Sequence, residues 1–396
     1  MSRIRPLLTV QPCRGLVDEK FQISVKYLPP KQEVTLHSLL QSEDNNYWEA
    51  FGYYVSDAKG AVKVAEDASV GGTYEGIEAM GLLWSMRPEP GSKPGLRLRK
   101  ENVESPVVVQ ISVYKGHLSQ GFRKQVALAC STVERWYMAP GVQRVDVTDP
   151  EVRGTLFLPP GPGPFPAVLD IWGGSGGLVE YRSALLASHG FASMTLEYMP
   201  YEGRKSDVNM AYFEKAFGFL QEHFLVDSKS VALLGLSFGC NVCLSMAVYS
   251  EVVQVCISRC SLQTHKIHVD EKNRTIMKGI LLPVPTDPNL KTEIKCPLLF
   301  IIGLDDENWP VAESMEDMQK MMEEAGNSHL LTALSYPGAG HLIEIPYTPH
   351  CRTMTLLWGG RTKPHADAQE HSWGEIIEFL QKHLYSGMDP EPLSRM

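Results

Sequence analysis

The sequence has no long apolar run, no excess of positive charge and no cluster of cysteines. No stretch reaches about 18 consecutive apolar residues, so we expect no stable insertion into a membrane. The 46 acidic side chains outnumber the 37 basic ones, which argues against nucleic acid as a partner. The first residues contain no apolar signal segment, and a soluble protein that is not secreted is therefore expected. With 43% hydrophobic residues over 396 positions, the chain can form a sizeable core in roughly two to three domains.

The eight cysteines lack a pattern typical of disulfides or zinc. Cys240 and Cys243 have a C-x-x-C spacing, but no second pair follows at the distance that a structural zinc ion needs. Because unpaired cysteines prefer protein cores, we expect these two thiols to be reduced on one buried helix face, without a metal. A phosphate-binding loop and a dinucleotide-binding glycine motif are also missing, so no cofactor is predicted.

The first 150 residues have the period of β-strands. Residues 20–27 alternate, which predicts Phe21, Ile23, Val25 and Tyr27 on a buried face. Similar runs occur at residues 33–41, 47–55, 106–114 and 125–134, separated by turn-forming residues. Short strands without helices between them predict an antiparallel β-sandwich domain over residues 1–150.

A different rhythm follows the Pro/Gly-rich stretch at residues 158–166. Apolar runs at 167–171, 191–196, 231–236, 252–257 and 297–302 alternate with helical patterns at 178–188, 209–223, 238–248 and 372–384. This alternation predicts an α/β domain over residues 151–388, with a mostly parallel sheet and helices on both of its faces. Residues 389–396 are assigned to a C-terminal tail.

One Gly-x-Ser-x-Gly motif has the context of a nucleophile turn, between a predicted strand and a predicted helix. Gly235 and Gly239 lack a Cβ, so strand and helix can approach closely while Ser237 is held outward. A second match, centred on Ser175, contains four glycines and follows the first strand of the domain. That composition is typical of a flexible loop whose N–H groups bind an oxyanion, and we therefore assign Ser175 to such a loop.

A nucleophilic serine needs a base and a carboxylate, in the order Ser, acid, His for this type of sheet. Asp305 and Asp306 end a buried strand, so that one can serve as the acid and the other can cap the helix that follows. His341 comes after a later strand in a Gly-x-Gly-His context that leaves its ring unobstructed. These residues predict acyl transfer with Ser237 as nucleophile and His341 as base.

The same pattern predicts where the negative charge of a tetrahedral intermediate is stabilised. The N–H of Phe238 follows the nucleophile, and the glycine-rich loop offers further N–H groups from Gly173 and Gly174. We expect these three groups to form the oxyanion hole.

Five strings are specific enough to suggest a family: residues 81–88 (GLLWSMRP), 153–160 (RGTLFLPP), 172–187 (WGGSGGLVEYRSALLA), 303–309 (GLDDENW) and 340–347 (GHLIEIPY). With them, nearly the whole chain resembles the type I acyl-CoA thioesterases and the bile acid-CoA:amino acid N-acyltransferases. The resemblance implies an N-terminal β-sandwich joined to a C-terminal α/β-hydrolase domain that acts on coenzyme A thioesters. It also implies that Asp306, the second aspartate of the Gly-x-Asp-Asp motif, is the acid of the triad.

The resemblance leaves three functions open. The N-acyltransferase uses cysteine as nucleophile, so Ser237 favours hydrolysis of fatty acyl-CoA to fatty acid and coenzyme A. Transfer of the acyl group to glycine or taurine is the alternative. A protein that binds acyl-CoA with little catalysis is the third. This function is suggested because the segment of residues 260–295 is shorter than the corresponding segment of the family, and because Phe238 stands where the family commonly has a lysine. We expect the acyl-CoA thioester as the small-molecule partner. The sequence leaves the oligomeric state open, with a monomer as one of the alternatives.

The last three residues, Ser394, Arg395 and Met396, resemble a Ser-Lys-Leu peroxisomal address. Peroxisome or cytoplasm is therefore the expected location.

Overall fold

The computed structural model describes residues 5–174, 177–199, 210–249, 253, 255–259, 268–269, 275–276, 294–352 and 357–385. Contacts between residues divide the chain into two compact units. The first comprises the chain up to Tyr137 together with Ile345–Cys351. The second comprises Met138–Glu344 and the chain from Arg352 onward.

The first unit consists of two sheets. Its elements are β1 (Leu7–Gln11), β2 (Arg14–Leu16), β3 (Gln22–Lys26), β4 (Glu33–Gln41), β5 (Tyr47–Val55), β6 (Val62–Lys63), the short helix α1 (Gly81–Trp84), β7 (Arg87–Pro88), β8 (Val107–Lys115) and β9 (Ala129–Trp136). The larger sheet has the order β2-β9-β8-β4-β5-β7 and the smaller one β1-β3-β6. The predicted antiparallel strands are confirmed, except that β2 pairs with β9 in parallel.

The predicted alternation holds within β3 and fails at its end. Ile23 and Val25 are buried as expected. Tyr27 was predicted on the same face, and this is wrong, because the residue is 55% exposed. Its φ of 65° takes the chain out of the extended conformation, so the two-residue period ends at Lys26.

The second unit is built on one large sheet. Its strands are β10 (Gln143–Asp146), β11 (Gly154–Leu158), β12 (Phe165–Ile171), β13 (Ala192–Leu196), β14 (Val226–Leu236), β15 (Val255–Arg259), the short pair β16 (His268–Val269) and β17 (Thr275–Ile276), β18 (Leu298–Gly303) and β19 (Leu331–Tyr336). The large sheet has the order β10-β11-β13-β12-β14-β15-β18-β19 and is parallel from β13 onward.

Among the described residues, five helices accompany this sheet: α2 (Tyr181–Ser188), α3 (Met210–Glu222), α4 (Phe238–Tyr249), α5 (Val311–Glu324) and α6 (Thr362–Leu384). The mostly parallel α/β domain predicted from the sequence is confirmed. Every residue of β13 and of β18 is buried, as a parallel sheet covered on both faces requires.

The units and the predicted domains differ in where they begin. The second unit begins at Met138, since β10 pairs with β11 at the edge of the large sheet. The sequence pattern predicted the domain boundary near residue 150, because β10, an antiparallel strand at the edge of the sheet, has the same two-residue period as a strand of a sandwich. The predicted tail, residues 389–396, lies outside the described residues.

Helix α6 is longer than its sequence pattern predicted. The apolar period begins near residue 372, whereas the helix begins at Thr362. Its first turns bury His365, Ala366 and Gln369, which are polar or small side chains that produce no apolar period.

The C-x-x-C pair lies on α4, and both cysteines are buried thiols. Burial raises the pKa of the Cys243 thiol well above its usual value, so the thiol stays protonated and unreactive. The expectation of two buried thiols on one helix is confirmed.

Two glycine-to-alanine variants distinguish the effect of close packing on stability, at Gly239, from the effect of helix propensity, at Gly374. A Cβ on Gly239 would lie 1.9 Å from the carbonyl oxygen of Ile171, so we expect Gly239→Ala to lower the free energy of unfolding by at least ~1–3 kcal/mol. Gly374 is exposed within α6 and has no heavy atom of the described residues within 4 Å of such a Cβ. Gly374→Ala should raise the free energy of unfolding by roughly 0.5–1 kcal/mol. Urea denaturation measures both, and an unchanged midpoint for Gly239→Ala would contradict the packing of α4 on β12.

Candidate active site

Ser237 occupies the sharp turn between β14 and α4. Its φ of 55° is unusual for a residue with a side chain, and the serine is only half-buried. The turn is tight because a Cβ on Gly235 would lie 2.7 Å from the backbone of Gly239. The two glycines thus allow strand and helix to approach, and the Ser237 hydroxyl is presented at the end of the strand.

Ser237, His341 and Asp306 form one chain of hydrogen bonds. Nε2 of His341 lies 2.9 Å from Oγ of Ser237, and Nδ1 lies 2.8 Å from Oδ2 of Asp306. His341 is 3% exposed and Asp306 is 1% exposed, so water competes little for these bonds. Such an arrangement can transfer the hydroxyl proton to the imidazole while the carboxylate holds the ring in one tautomer.

The Asp306 carboxylate is fixed on its other side by the backbone. Its Oδ1 accepts hydrogen bonds from the N–H groups of Asn308 at 2.7 Å and Trp309 at 2.9 Å. The two amide N–H groups and Nδ1 of His341 therefore define where the carboxylate points.

Asp305, the alternative acid, does not reach this site. Its carboxylate lies near the surface, 3.7 Å from the Arg361 guanidinium and 3.3 Å from the N–H of Gly338. The expectation that one of the two aspartates caps the next helix is wrong. Helix α5 begins after Pro310, and among the described residues no side chain caps it.

His341 is positioned by a second histidine that the sequence did not indicate. His365, buried on α6, accepts a hydrogen bond from the N–H of Gly340 at 3.0 Å through Nδ1. Its Nε2 donates to the carbonyl oxygen of Leu342 at 2.7 Å. His365 therefore holds the backbone on both sides of His341.

The loop predicted to bind an oxyanion begins beside Ser237. The position of a Cβ on Gly173 is 3.0 Å from Cβ of Ser237, so the backbones of the two residues are adjacent. Phe238 is the first residue of α4, where N–H groups are not used by the helix. Gly174 lies in the open part of the loop, where the nearest atom to its Cβ position is 3.9 Å away. Ser175 lies outside the described residues.

Tyr198 sets the orientation of this loop. Its hydroxyl lies within hydrogen-bond distance of the carbonyl oxygens of Trp172 and Gly173, at 2.9 Å for the latter. Burial raises the pKa of Tyr198 well above its usual value, so the hydroxyl remains a donor. In a trans peptide the C=O and N–H point in opposite directions, so the N–H groups of Gly173 and Gly174 point away from Tyr198.

An ion pair holds the two ends of the loop. Asp170, at the end of β12, pairs with Arg182 on α2, and both side chains are fully buried. Ser183 also donates to the Asp170 carboxylate at 3.2 Å. Next to Arg182, the Tyr181 hydroxyl donates to Glu344 at 2.9 Å, which ties the loop to the segment that carries His341.

The sequence analysis did not identify Tyr198, His365 or the Asp170–Arg182 pair. Tyr198, His365 and Asp170 belong to no motif, and the 172–187 string that contains Arg182 does not indicate its partner, because each of these residues acts through a contact elsewhere in the chain. Within the described residues, no group of three or more metal-ligating side chains is found, and no helix has the length and apolarity needed to cross a membrane.

Two family models match the chain. The model described as acyl-CoA thioester hydrolase/BAAT N-terminal region matches residues 18–149. The model described as BAAT/acyl-CoA thioester hydrolase C terminal matches residues 208–286 and 260–386.

Curated relatives match over nearly the full length. The chain is 37% identical over 415 residues to the peroxisomal succinyl-coenzyme A thioesterase of Mus musculus, covering 96% of this chain and 97% of that protein. It is 36% identical over 416 residues to the bile acid-CoA:amino acid N-acyltransferase of Mus musculus, covering 95% and 97%. Among solved structures, a dienelactone hydrolase-like promiscuous phosphotriesterase from metagenomic libraries aligns with a TM-score of 0.44 and 20% identity, covering 61% of this chain and 98% of that chain.

The two neighbouring aspartates provide a matched test of the hydrogen-bonded chain. Asp306→Asn should lower kcat for a p-nitrophenyl ester by about 10⁴-fold, because an amide there stabilises the wrong imidazole tautomer. Asp305→Asn removes the same charge one residue away and should leave kcat close to the wild-type value. Circular dichroism of both variants serves as the control for folding. Equal losses in the two variants would contradict the assignment of Asp306.

Proposed function

This chain belongs to the acyl-CoA thioester hydrolase/BAAT family, and on that premise we propose that it is a serine hydrolase that cleaves acyl-CoA thioesters. The products are a carboxylic acid, a fatty acid in the reaction we favour, and coenzyme A. The observation that carries the proposal is the hydrogen-bonded chain from Ser237 through His341 to Asp306.

In the first half of the reaction, Oγ of Ser237 attacks the thioester carbonyl carbon, and its proton moves to Nε2 of His341. The oxyanion that forms accepts hydrogen bonds from the N–H groups of Phe238, Gly173 and Gly174. When the carbon–sulfur bond breaks, the sulfur of coenzyme A takes the proton from His341. The acyl group is then an ester on Ser237.

In the second half, His341 removes a proton from water, which attacks the ester carbonyl carbon. The carbon–oxygen bond to Ser237 breaks, the proton returns to Oγ, and the carboxylic acid leaves. Asp306 remains a carboxylate throughout and stabilises the imidazolium that forms in each half.

Transfer of the acyl group to glycine or taurine is the second candidate function. It is supported by the relative named bile acid-CoA:amino acid N-acyltransferase, which is nearly as similar to this chain as the named thioesterase. In that reaction an amine replaces water in the second half. Hydrolysis is favoured because Ser237 forms an oxygen ester, which water attacks. The third candidate, a binding protein with little catalysis, is opposed by the complete hydrogen-bonded chain. Most of residues 260–295, the segment that prompted it, lies outside the described residues.

The nucleophile is tested by thiol release from hexadecanoyl-CoA with a colorimetric thiol reagent. Ser237→Ala should lower kcat/KM by roughly 10³-fold or more, because the acyl-enzyme can no longer form. Ser175→Ala removes the serine of the other Gly-x-Ser-x-Gly match and should leave release close to the wild-type rate. When taurine is added, mass spectrometry should still identify the product as the free acid. A taurine amide would instead establish the N-acyltransferase, and release that persists in Ser237→Ala would refute this nucleophile.

We also propose the peroxisome, with the cytoplasm as the alternative, as the location of the protein. The proposal is supported by the relative named as peroxisomal and by the Ser-Arg-Met sequence at residues 394–396. A fluorescent reporter fused to residues 390–396 should then colocalise with a peroxisomal marker, and Arg395→Glu in the same fusion should make it diffuse. A diffuse signal from the unmodified fusion would contradict this address.

A further inference from the structure

The indole of Trp309 lies beside the imidazole of His341. The ring centroids are 5.8 Å apart and the ring planes are inclined by 36°, so the two rings are nearer to a stacked than to an edge-to-face arrangement. Both imidazole nitrogens are already engaged, by Ser237 and by Asp306. The indole is therefore a further neighbour of this ring, and it adds to the two hydrogen bonds without competing for either nitrogen.

Trp309 is held in place at its backbone and is shielded from water. Its N–H donates to Oδ1 of Asp306 at 2.9 Å, and its carbonyl oxygen accepts a hydrogen bond from the N–H of Val311 at 2.9 Å. The side chain is buried within the core of the second unit. Because His341 is buried as well, water screens little of the interaction between a charge on the imidazole and the indole.

A positive charge forms on this imidazole in each half of the proposed reaction. The face of an indole has a negative electrostatic potential and attracts a cation within about 6 Å of the ring centroid, more strongly where water is excluded. A neutral imidazole gains much less from the same neighbour. The attraction therefore arises mainly after the proton has moved to Nε2 of His341. An interaction that is stronger in the transition state than in the ground state raises kcat and leaves KM largely unchanged.

We propose that Trp309 stabilises the imidazolium of His341 by a cation–π interaction and thereby accelerates both halves of the reaction. The proposal rests on the proposed function, because it requires His341 to accept a proton from Ser237 and later from water. Asp306 stabilises the same cation through Nδ1, and Trp309 stabilises it through the π system. Because Trp309 acts through His341, it is a positioning residue rather than a catalytic one.

Fluorinated tryptophans test the charge on the indole face with little change in its shape. Fluorine withdraws electrons from the ring, so it weakens the attraction for a cation. When the seven tryptophans of the chain are replaced by 5-fluorotryptophan and then by 5,7-difluorotryptophan, kcat for a p-nitrophenyl ester should fall by roughly twofold for each fluorine. KM should not respond. In Trp309→Phe, which has no indole at this position, the same labels should leave kcat unchanged.

A pair of leucine variants gives the second measurement. Trp309→Leu keeps an apolar side chain without a π face and should lower kcat by about tenfold or more, with KM nearly unchanged. Trp373→Leu is the matched control, because Trp373 is equally buried and its ring lies 6.5 Å from that of His189, which has no part in the proposed reaction. It should lower the free energy of unfolding and leave kcat close to the wild-type value. Where Trp309→Leu does not fold, the fluorinated wild-type protein, which retains every indole, decides.

Four results would overturn the proposal. These are a kcat that does not respond to fluorine, an equal response in the wild type and in Trp309→Phe, a loss in Trp309→Leu that appears in KM alone, and no ester hydrolysis by the wild type. Thiol release from hexadecanoyl-CoA is measured separately. Ester hydrolysis that responds to fluorine without thiol release would refute the thioesterase and retain the role of Trp309. Thiol release without that response would retain the thioesterase and refute the role of Trp309.

Discussion

The geometry around Ser237 depends on close packing of backbone against backbone at the ends of β12 and β14. Gly239 lies so near the carbonyl oxygen of Ile171 that a single methyl group would overlap it. Because α4 is held this close to the sheet, the chain must turn within a few residues, and Ser237 takes a positive φ. Strain of this kind persists only where the flanking elements are firmly anchored, as the buried β14 is.

Buried polar contacts bring the remaining loops to that turn. The Asp170–Arg182 pair closes the glycine-rich loop at both ends, and Tyr198 orients the peptide groups beside the nucleophile. His365 holds the backbone on either side of His341. Removing one partner of the buried Asp170–Arg182 pair would leave an uncompensated charge, which is costly. Together, the three sets of contacts keep the loops in place.

The two buried arginines, Arg182 and Arg135, have different roles. Arg182 faces the Asp170 carboxylate, and its charge is balanced within the chain. Arg135 donates through Nη2 to the carbonyl oxygens of Leu16 and Glu19, and its guanidinium lies 5.1 Å from the centre of the Phe21 ring. The first arginine balances a buried carboxylate, whereas the second holds the backbone that follows β2 against β9.

The sequence alone determined the class of each half and indicated Ser237 as the candidate nucleophile, because strand and helix periods and the glycines around Ser237 are local properties of the chain. It also placed His341 and two candidate acids at the ends of strands. Only the tertiary structure decided that Asp306, and not Asp305, contacts His341, since neighbouring residues on a turn point in different directions. The contacts of Tyr198, His365 and Arg182 were likewise decided by the fold. They join residues far apart in the chain, and no local pattern records them.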